Sequence, residues 1–132
     1  MIFLDSNVPM YLVGADHPNK HAARQMLERL IASGERLVTD VEVIQEILHR
    51  YVAIRRRDAI EPCVTVLLEL ADEVFDVDLE SVLDARDLVL EHPGLSARDA
   101  LHVAVMRRHG IRRILSFDAG FDDVPEVERL AG

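Results

Sequence analysis

Cysteine is almost absent from the chain: Cys63 is the only one. An intramolecular disulfide is impossible and no cysteine cluster exists to hold zinc, which suits a reducing compartment. Lysine is equally scarce, with Lys20 alone against fourteen arginines. Arginine's planar fork favours bidentate phosphate contacts, but a GC-rich genome produces the same bias without functional meaning, and that reading is preferred. No apolar run approaches the roughly 18 residues a membrane span requires. The N-terminal stretch MIFLDSNVPMYLVGA is apolar but lacks a basic flank, and Asp5, Asn7 and Pro9 interrupt it, so it is not expected to act as a signal peptide. No internal repeat, low-complexity segment or linker is visible. The expectation is a soluble, cytoplasmic protein with no membrane association.

Positive charge is also in short supply. Fifteen basic residues face 24 acidic ones, for a formal net charge of −9. Phosphate binders usually present a basic face, so this balance argues against a nucleic-acid partner at first sight. Two features soften the objection. Carboxylates gathered around a metal add negative charge that the metal offsets. The arginines are also clustered, as Arg55, Arg56 and Arg57, as Arg107 and Arg108 beside His109, and as Arg112 with Arg113.

What the chain does have is apolar content, 49% over 132 residues, enough for one core without staples. Short apolar runs predict strands at Ile2–Leu4, Leu37–Thr39, Val74–Val77, Arg113–Leu115 and Val127–Leu130. Helical spacing predicts helices over Pro18–Ala32, Val41–Ile54, Asp58–Leu70, Ser81–Leu90 and Ser96–His109, with Gly34 and Gly110 as stops. Strands alternating with helices imply βα units and a parallel sheet covered on both faces. The expected fold is α/β, a single domain over residues 1–132.

In such a sheet the carboxyl ends of the strands share one edge, where ligands bind. The first strand delivers Asp5 there. The second delivers Asp40, with Glu42 and Glu46 on the helix that follows, and the fourth delivers Ser116 and Asp118, with Asp122 and Asp123 close behind. Asp99 opens the last helix, and the edge it faces is left open. Crowded like charges call for a cation, and an all-oxygen set suits Mg²⁺ or Mn²⁺ rather than zinc. Plainer readings compete. Asp5 and Asp40 stand at N-cap positions, and for Asp40 the cap is preferred. Glu46 lies opposite the stripe of Ile44, Ile47, Leu48 and Tyr51, so the helical wheel leaves it in solvent. Ser96 and Asp99 have the spacing of a capping box, and Asp118 suits the start of a turn. The helix beyond Asp99 is apolar all round except for His102, so it is expected to be buried, with His102 a satisfied core histidine and not a ligand.

Four segments carry a resemblance: MIFLDSN, VIQEIL, LSARDALHVAVM and ILSFDAGF resemble, in order and spacing, the successive acidic motifs of PIN domains. The likeness spans nearly the whole chain and is nearest to the VapC-type toxins of toxin–antitoxin pairs. It implies a PIN-like fold and an acidic site of Asp5, Glu46, Asp99 and Asp118, which places Glu46 and Asp99 on the edge that geometry alone did not assign them. Ser116 stands where a supporting Ser or Thr is common, and Asp122 at a position that is sometimes acidic. Ser6 replaces a commoner Thr and keeps the hydroxyl.

The activity so implied is an Mg²⁺- or Mn²⁺-dependent endoribonuclease in which metal-activated water attacks the phosphodiester without a covalent intermediate. The implied partners are RNA, a cognate antitoxin whose C-terminal segment covers the site, and a second copy in a homodimer. Arg55, Arg56 and Arg57 are the leading RNA-contact candidates, set against a helix end whose basic residues suit the macrodipole. Two alternatives stand beside this. FLDSNV resembles the nucleophile motif of haloacid-dehalogenase phosphatases, but that chemistry wants a later lysine, and Lys20 comes too early. A PIN-like binding module without catalysis is the other, although none of the four acids is missing.

Overall fold

Ile2, Phe3 and Leu4 are completely buried although consecutive side chains point to opposite sides of a sheet. The strand they form, β1 (Ile2–Leu4), is therefore covered on both faces. In the computed structural model, which describes residues 1–131, β1 is the middle strand of five. β2 (Leu37–Asp40) and β3 (Glu73–Phe75) lie on one side, and β4 (Arg113–Leu115) and β5 (Glu128–Leu130) on the other. The order is β3-β2-β1-β4-β5 and every neighbouring pair is parallel. All five expected strands are present, with β3 shifted slightly towards the N-terminus of Val74–Val77.

The helices are α1 (Asn7–Val13), α2 (Pro18–Ala32), α3 (Val41–Ala53), α4 (Ile60–Leu70), α5 (Leu79–Glu91) and α6 (Ala97–Arg108). Short 3₁₀ turns occupy Arg57–Ala59 and Ala119–Asp123. Only α1 was not expected. It is seven residues long, too short to show a helical period, and Pro9 reads as an interruption. In the first turn, however, an amide has no intrahelical partner to lose, so proline is tolerated there. α1 packs against α2 and α4 and buries Val8 and Pro9.

The strand order sets the location of a site. Connections run outward from β1 to β2 and β3, then cross over β1 to β4 and β5. The reversal lies between the adjacent strands β1 and β4, and such a point leaves a crevice at the carboxyl ends. Asp5 follows β1 there, and Ser116 follows β4.

The connection from β3 to β4 decides where Asp99 goes. After β3 the chain reaches Asp78, whose carboxylate takes a bond from Arg108 at the far end of α6, 3.0 Å away, while Arg108 also pairs with Glu80. The ring of Phe75 stacks on His109, with centroids 3.7 Å apart. The start of α5 therefore lies beside the end of α6, and the two helices form an antiparallel hairpin. The start of α6, with Asp99, is thrown to the opposite end, the carboxyl edge of the sheet. Ala100, Val103, Ala104, Val105 and Met106 are wholly buried, as the unbroken apolar character of α6 predicts.

Three helices end with the same pair of hydrogen bonds. After α2, Gly34 N donates to Ile31 O and Glu35 N to Leu30 O; after α6, Gly110 N donates to Arg107 O and Ile111 N to Met106 O. After α3, Arg55 N donates to Val52 O and Arg56 N to Tyr51 O. This Schellman ending requires a left-handed residue. Gly34 and Gly110 adopt φ of 75° and 66°, but the third such position is Arg55, with φ of 58°. An arginine there carries a Cβ penalty that glycine lacks. Arg55→Gly should therefore stabilise the chain, by about 0.5–1 kcal/mol after the greater freedom of glycine in the unfolded state is allowed for. Urea unfolding of the two proteins measures this, and a destabilised variant would show that the arginine side chain contributes more than the strain costs.

Candidate metal centre

Asp5 leaves β1 with its carboxylate held from several sides. The Ser6 amide donates to Oδ1 at 2.8 Å and the Ser116 hydroxyl to Oδ2 at 2.6 Å. Ser116 in turn accepts from the Asp118 amide at 3.0 Å, so one hydroxyl ties the ends of β1 and β4 together. Asn7 Nδ2 lies 3.4 Å from both Asp5 Oδ2 and Ser116 Oγ. Asp5 is only 3% exposed. Burial pushes its pKa up, against the opposing charge of His102 and the bond from Ser116.

Glu46 comes from the second turn of α3 and is 9% exposed, so the solvent placement suggested by the helical wheel is corrected. The wheel considered α3 alone, whereas α6 and the start of α1 cover that side. Ser6 Oγ donates to Oε2 at 2.8 Å, and His102 Nε2 donates to Oε1. Burial opposes ionisation of Glu46, but the His102 bond and charge, with Ser6 and Arg98, outweigh it and hold the pKa below its ordinary value.

Asp40 behaves as expected of a cap: Oδ1 accepts from the Val43 amide at 2.9 Å. Its other oxygen takes a bond from His102 Nδ1 at 2.8 Å. His102 is thus a satisfied core histidine, but one wedged between two carboxylates. Burial alone would lower its pKa; the charges and bonds of Asp40 and Glu46 raise it well above the usual value. Asp5, Glu46 and His102 each bring a ligand-type atom within 4.8 Å of the others. Because both ring nitrogens already face carboxylates, His102 has no free lone pair for a metal, and the usable donors are oxygens.

Asp99 resolves the capping box into half a box. Its amide donates to Ser96 Oγ at 3.1 Å, so Ser96 caps α6. Among the described residues, no return bond runs from the Ser96 amide to the Asp99 carboxylate. That carboxyl instead meets Asp118 and the field of Asp5, and its pKa is pushed up to about 8, first by burial and then by those two acids. Asp118 stands at the exposed rim and accepts from the Gly120 amide at 2.8 Å. A Cβ built on Gly120 would lie 3.1 Å from Asp118 Oδ1 and 3.7 Å from Asp99 Oδ2. Glycine therefore leaves open the space between the two acids.

The other candidates are not drawn in. Asp122 gives both oxygens to Arg129, at 2.9 and 3.0 Å. Arg56 is tied to Asp58 at 3.1 and 3.2 Å. Arg55 and Arg57 line a shallow pocket of their own. The arginines nearer the acids are Arg50 and Arg98, which line a groove of about 540 Å³ running from Ser6 and Glu46 past Tyr11 and Tyr51 to Ile54. Neither was singled out from the sequence, because no local pattern marks two arginines 48 residues apart. Cys63 is no nucleophile: burial pushes its thiol up to about 11. Lys20 is committed to the Gly14 carbonyl at 2.9 Å.

Oxygen donors beside one crevice, with a raised acid among them and no side chain filling the gap at Gly120, fit a hard divalent cation. The PIN domain family profile matches residues 2–127. Over 131 residues the sequence is 56% identical to ribonuclease VapC13 of Mycobacterium tuberculosis, an alignment covering 99% of this chain and all of that one. The chain is a PIN domain of the VapC ribonuclease family. Its structure is similar to that of M. tuberculosis VapC20, described as a sarcin–ricin-loop-cleaving toxin, with a TM-score of 0.76, 25% identity and coverage of 92% and 93%. A toxin–antitoxin complex from Klebsiella pneumoniae shares the fold at 16% identity, with a TM-score of 0.69 and coverage of 97% and 96%. The expected PIN fold is therefore present, and the phosphatase alternative is set aside. No helix among the described residues is long and apolar enough to cross a membrane.

The raised pKa of Asp99 makes stability depend on pH. Folding without metal takes up a proton, so that contribution is complete below the unfolded value near 3.8 and is lost as pH rises through about 8. Asp99→Asn carries no charge at any pH. Its stability relative to the parent should climb from about pH 4 to about pH 8 and then level off, as measured by urea unfolding in chelator. A difference that stays flat over this range would mean that Asp99 is not crowded.

Proposed function

We propose that this PIN domain is an Mg²⁺- or Mn²⁺-dependent endoribonuclease, the toxin of a toxin–antitoxin pair, with Asp5, Glu46, Asp99 and Asp118 as its metal-binding and catalytic acids. The observation that carries the reading is a crowded set of acids beyond β1: Asp5 and Glu46 bring oxygens within 4.8 Å of each other, and the buried Asp99 is crowded by Asp5 and by Asp118 at the rim. A divalent ion held there would bind the scissile phosphate and lower the pKa of a bound water for in-line attack. The protein's own part is to hold the oxygens in place: Ser116 fixes Asp5, Ser6 fixes Glu46, and Gly120 keeps Asp118 beside Asp99. Asp99, held towards its protonated form, would act as a ligand only after giving up that proton. A catalytically inert module has less support, since no acid of the set is missing or turned away.

The supporting observations for partners are local. The groove beside Glu46 combines Arg50 and Arg98 with Met10, Tyr11, Tyr51 and Ile54. That mixture suits a nucleic-acid strand, whose phosphates meet arginine and whose bases meet aromatic faces, and it also suits the C-terminal segment of a cognate antitoxin. A homodimer has a candidate face on α5, where Leu79, Val82, Leu83 and Leu90 share one stripe and remain exposed; the mass in solution decides it. The proposed location is the cytoplasm.

Purified protein should cleave RNA with Mg²⁺ or Mn²⁺ and stop in excess EDTA, and Asp5→Asn should remove the activity by 100-fold or more, on the order of what a lost metal ligand costs. Full cleavage in EDTA would sink this reading.

A second test concerns where the RNA runs. With Arg50 and Arg98 both changed to Gln, the slope of log affinity against log salt should fall by about 1.4, at about 0.7 for each lost contact to a single strand. Changing Arg55, Arg56 and Arg57 to Gln should alter it less, because none of the three lines the groove beside Glu46 and Arg56 is already paired with Asp58. Equal loss from both variants would return the Arg55–Arg57 cluster to the RNA path.

A further inference from the structure

His102 stands in the middle of α6, where its neighbours Ala100, Val103, Ala104, Val105 and Met106 are apolar and completely buried. An apolar side chain would suit that environment at lower cost, since a buried polar ring must find partners for both nitrogens. His102 does find them, and they lie in a line. Asp40 Oδ2 accepts from Nδ1 at 2.8 Å, and Glu46 Oε1 accepts from Nε2. Asp40 cannot swing, because its other oxygen caps α3 through the Val43 amide at 2.9 Å. The imidazole cannot swing either, being fully buried, with the Phe3 ring centroid 5.3 Å from its own. The only flexible member of the chain Asp40–His102–Glu46 is the glutamate, whose three side-chain torsions give it the most freedom to lose.

We propose that His102, braced by Asp40, is the positioning residue that aims the Glu46 carboxylate into the acidic cluster. The proposal rests on the metal-dependent reading above. Partners that sit behind metal ligands and fix their orientation commonly change metal affinity by about 10–100-fold when removed. Ser6 Oγ, 2.8 Å from Oε2, supplies the complementary constraint on the second oxygen. With both oxygens held, Glu46 is preset before any ion arrives. His102 itself touches neither ion nor substrate.

A purely structural role predicts something different: His102 would matter only for satisfying Asp40 inside the core. Two substitutions separate the roles. In His102→Asn the side-chain amide replaces Nδ1, keeps the bond to Asp40 and cannot reach Glu46. In His102→Gln the amide reaches the position of Nε2, so it keeps the bond to Glu46 and gives up Asp40. The full chain of each, checked for folding by circular dichroism, is titrated with Mn²⁺ by calorimetry and assayed for RNA cleavage at saturating Mn²⁺. Positioning predicts Mn²⁺ affinity weakened about 10–100-fold and a reduced kcat in His102→Asn, with affinity restored to within a few-fold of the parent in His102→Gln. Parent-like Mn²⁺ affinity in a folded His102→Asn would overturn it, as would equal loss in both variants.

One measurement needs no variant. His102 is the only buried imidazole among the six histidines, so its ring nitrogens in ¹⁵N-histidine-labelled parent are the ones shielded from solvent exchange. Saturation with Mg²⁺ should shift the Nε2 resonance, whose partner is Glu46, more than Nδ1, whose partner is Asp40. An Nε2 resonance unmoved by saturating Mg²⁺ would overturn the proposal even if both variants failed to fold. Failure of the underlying function looks different, because the parent would then bind no Mn²⁺ and cleave no RNA.

Discussion

Four carboxylates gathered at one edge of a sheet repel one another, and in a crevice with little water the repulsion is weakly screened. Much of the local structure between β1 and β4 can be understood as a response to that single constraint. The imidazole of His102 places positive character between Asp40 and Glu46. Hydroxyls of Ser6 and Ser116 donate to Glu46 and Asp5, at 2.8 and 2.6 Å. Asp99 is held towards its protonated form, first by burial and then by the charges of Asp5 and Asp118. Each of these relieves part of the repulsion and none removes it, so the metal-free fold keeps a strain that a divalent ion is suited to release. Sites of this kind commonly lower the stability of the protein that contains them.

The topology exists in the form it does because the acids must arrive from different directions. Asp5 and Ser116 come from adjacent strands at the reversal of strand order, which supplies the crevice. Glu46 comes from the helix after β2, one strand away. Asp99 is the hard case, because the short β3 could have led straight into a single crossover helix. The chain instead doubles back after Phe75, so that α5 climbs and α6 descends, and the anchor for that reversal is Arg108 on Asp78 and Glu80 with Phe75 stacked on His109. These contacts hold the end of α6 that lies away from Asp99. They act on the site only through the direction they impose on α6.

The helix hairpin also explains the limits of what the sequence reveals. Strands and five of the six helices are legible because apolar spacing is a property of each segment alone, and Gly34 and Gly110 mark stops that the backbone requires. α1 is not legible, since seven residues hold barely two turns. The helical wheel leaves Glu46 in solvent because a wheel knows nothing of the neighbours that cover it; the structure buries it against His102 and Ser6. The capping box at Ser96 was half right: the hydroxyl caps, while the acid is drawn away by a cluster assembled from distant parts of the chain. The apolar run around His102 marks it as a satisfied core histidine, but nothing local says that its partners are Asp40 and Glu46, 62 and 56 residues away. Local signals gave the elements, and the long-range pairings gave the site.

The overall charge has a consequence for how an RNA would approach. At −9 the chain repels a polyanion at distances beyond the Debye length only weakly, but within about 8 Å the sign of each patch matters. Long-range steering of the kind that speeds association of oppositely charged partners is therefore not available to this protein. Attraction has to come from a few local groups, and the groove proposed for RNA has two arginines, Arg50 and Arg98, beside Glu46. A metal ion in the acid cluster would add positive charge a short distance away. Binding then depends on a strand fitting the groove well enough to engage the arginines and the ion together. On that proposed path a strand that does not fit the groove would meet little attraction, so discrimination would fall on the shape of the strand more than on its charge.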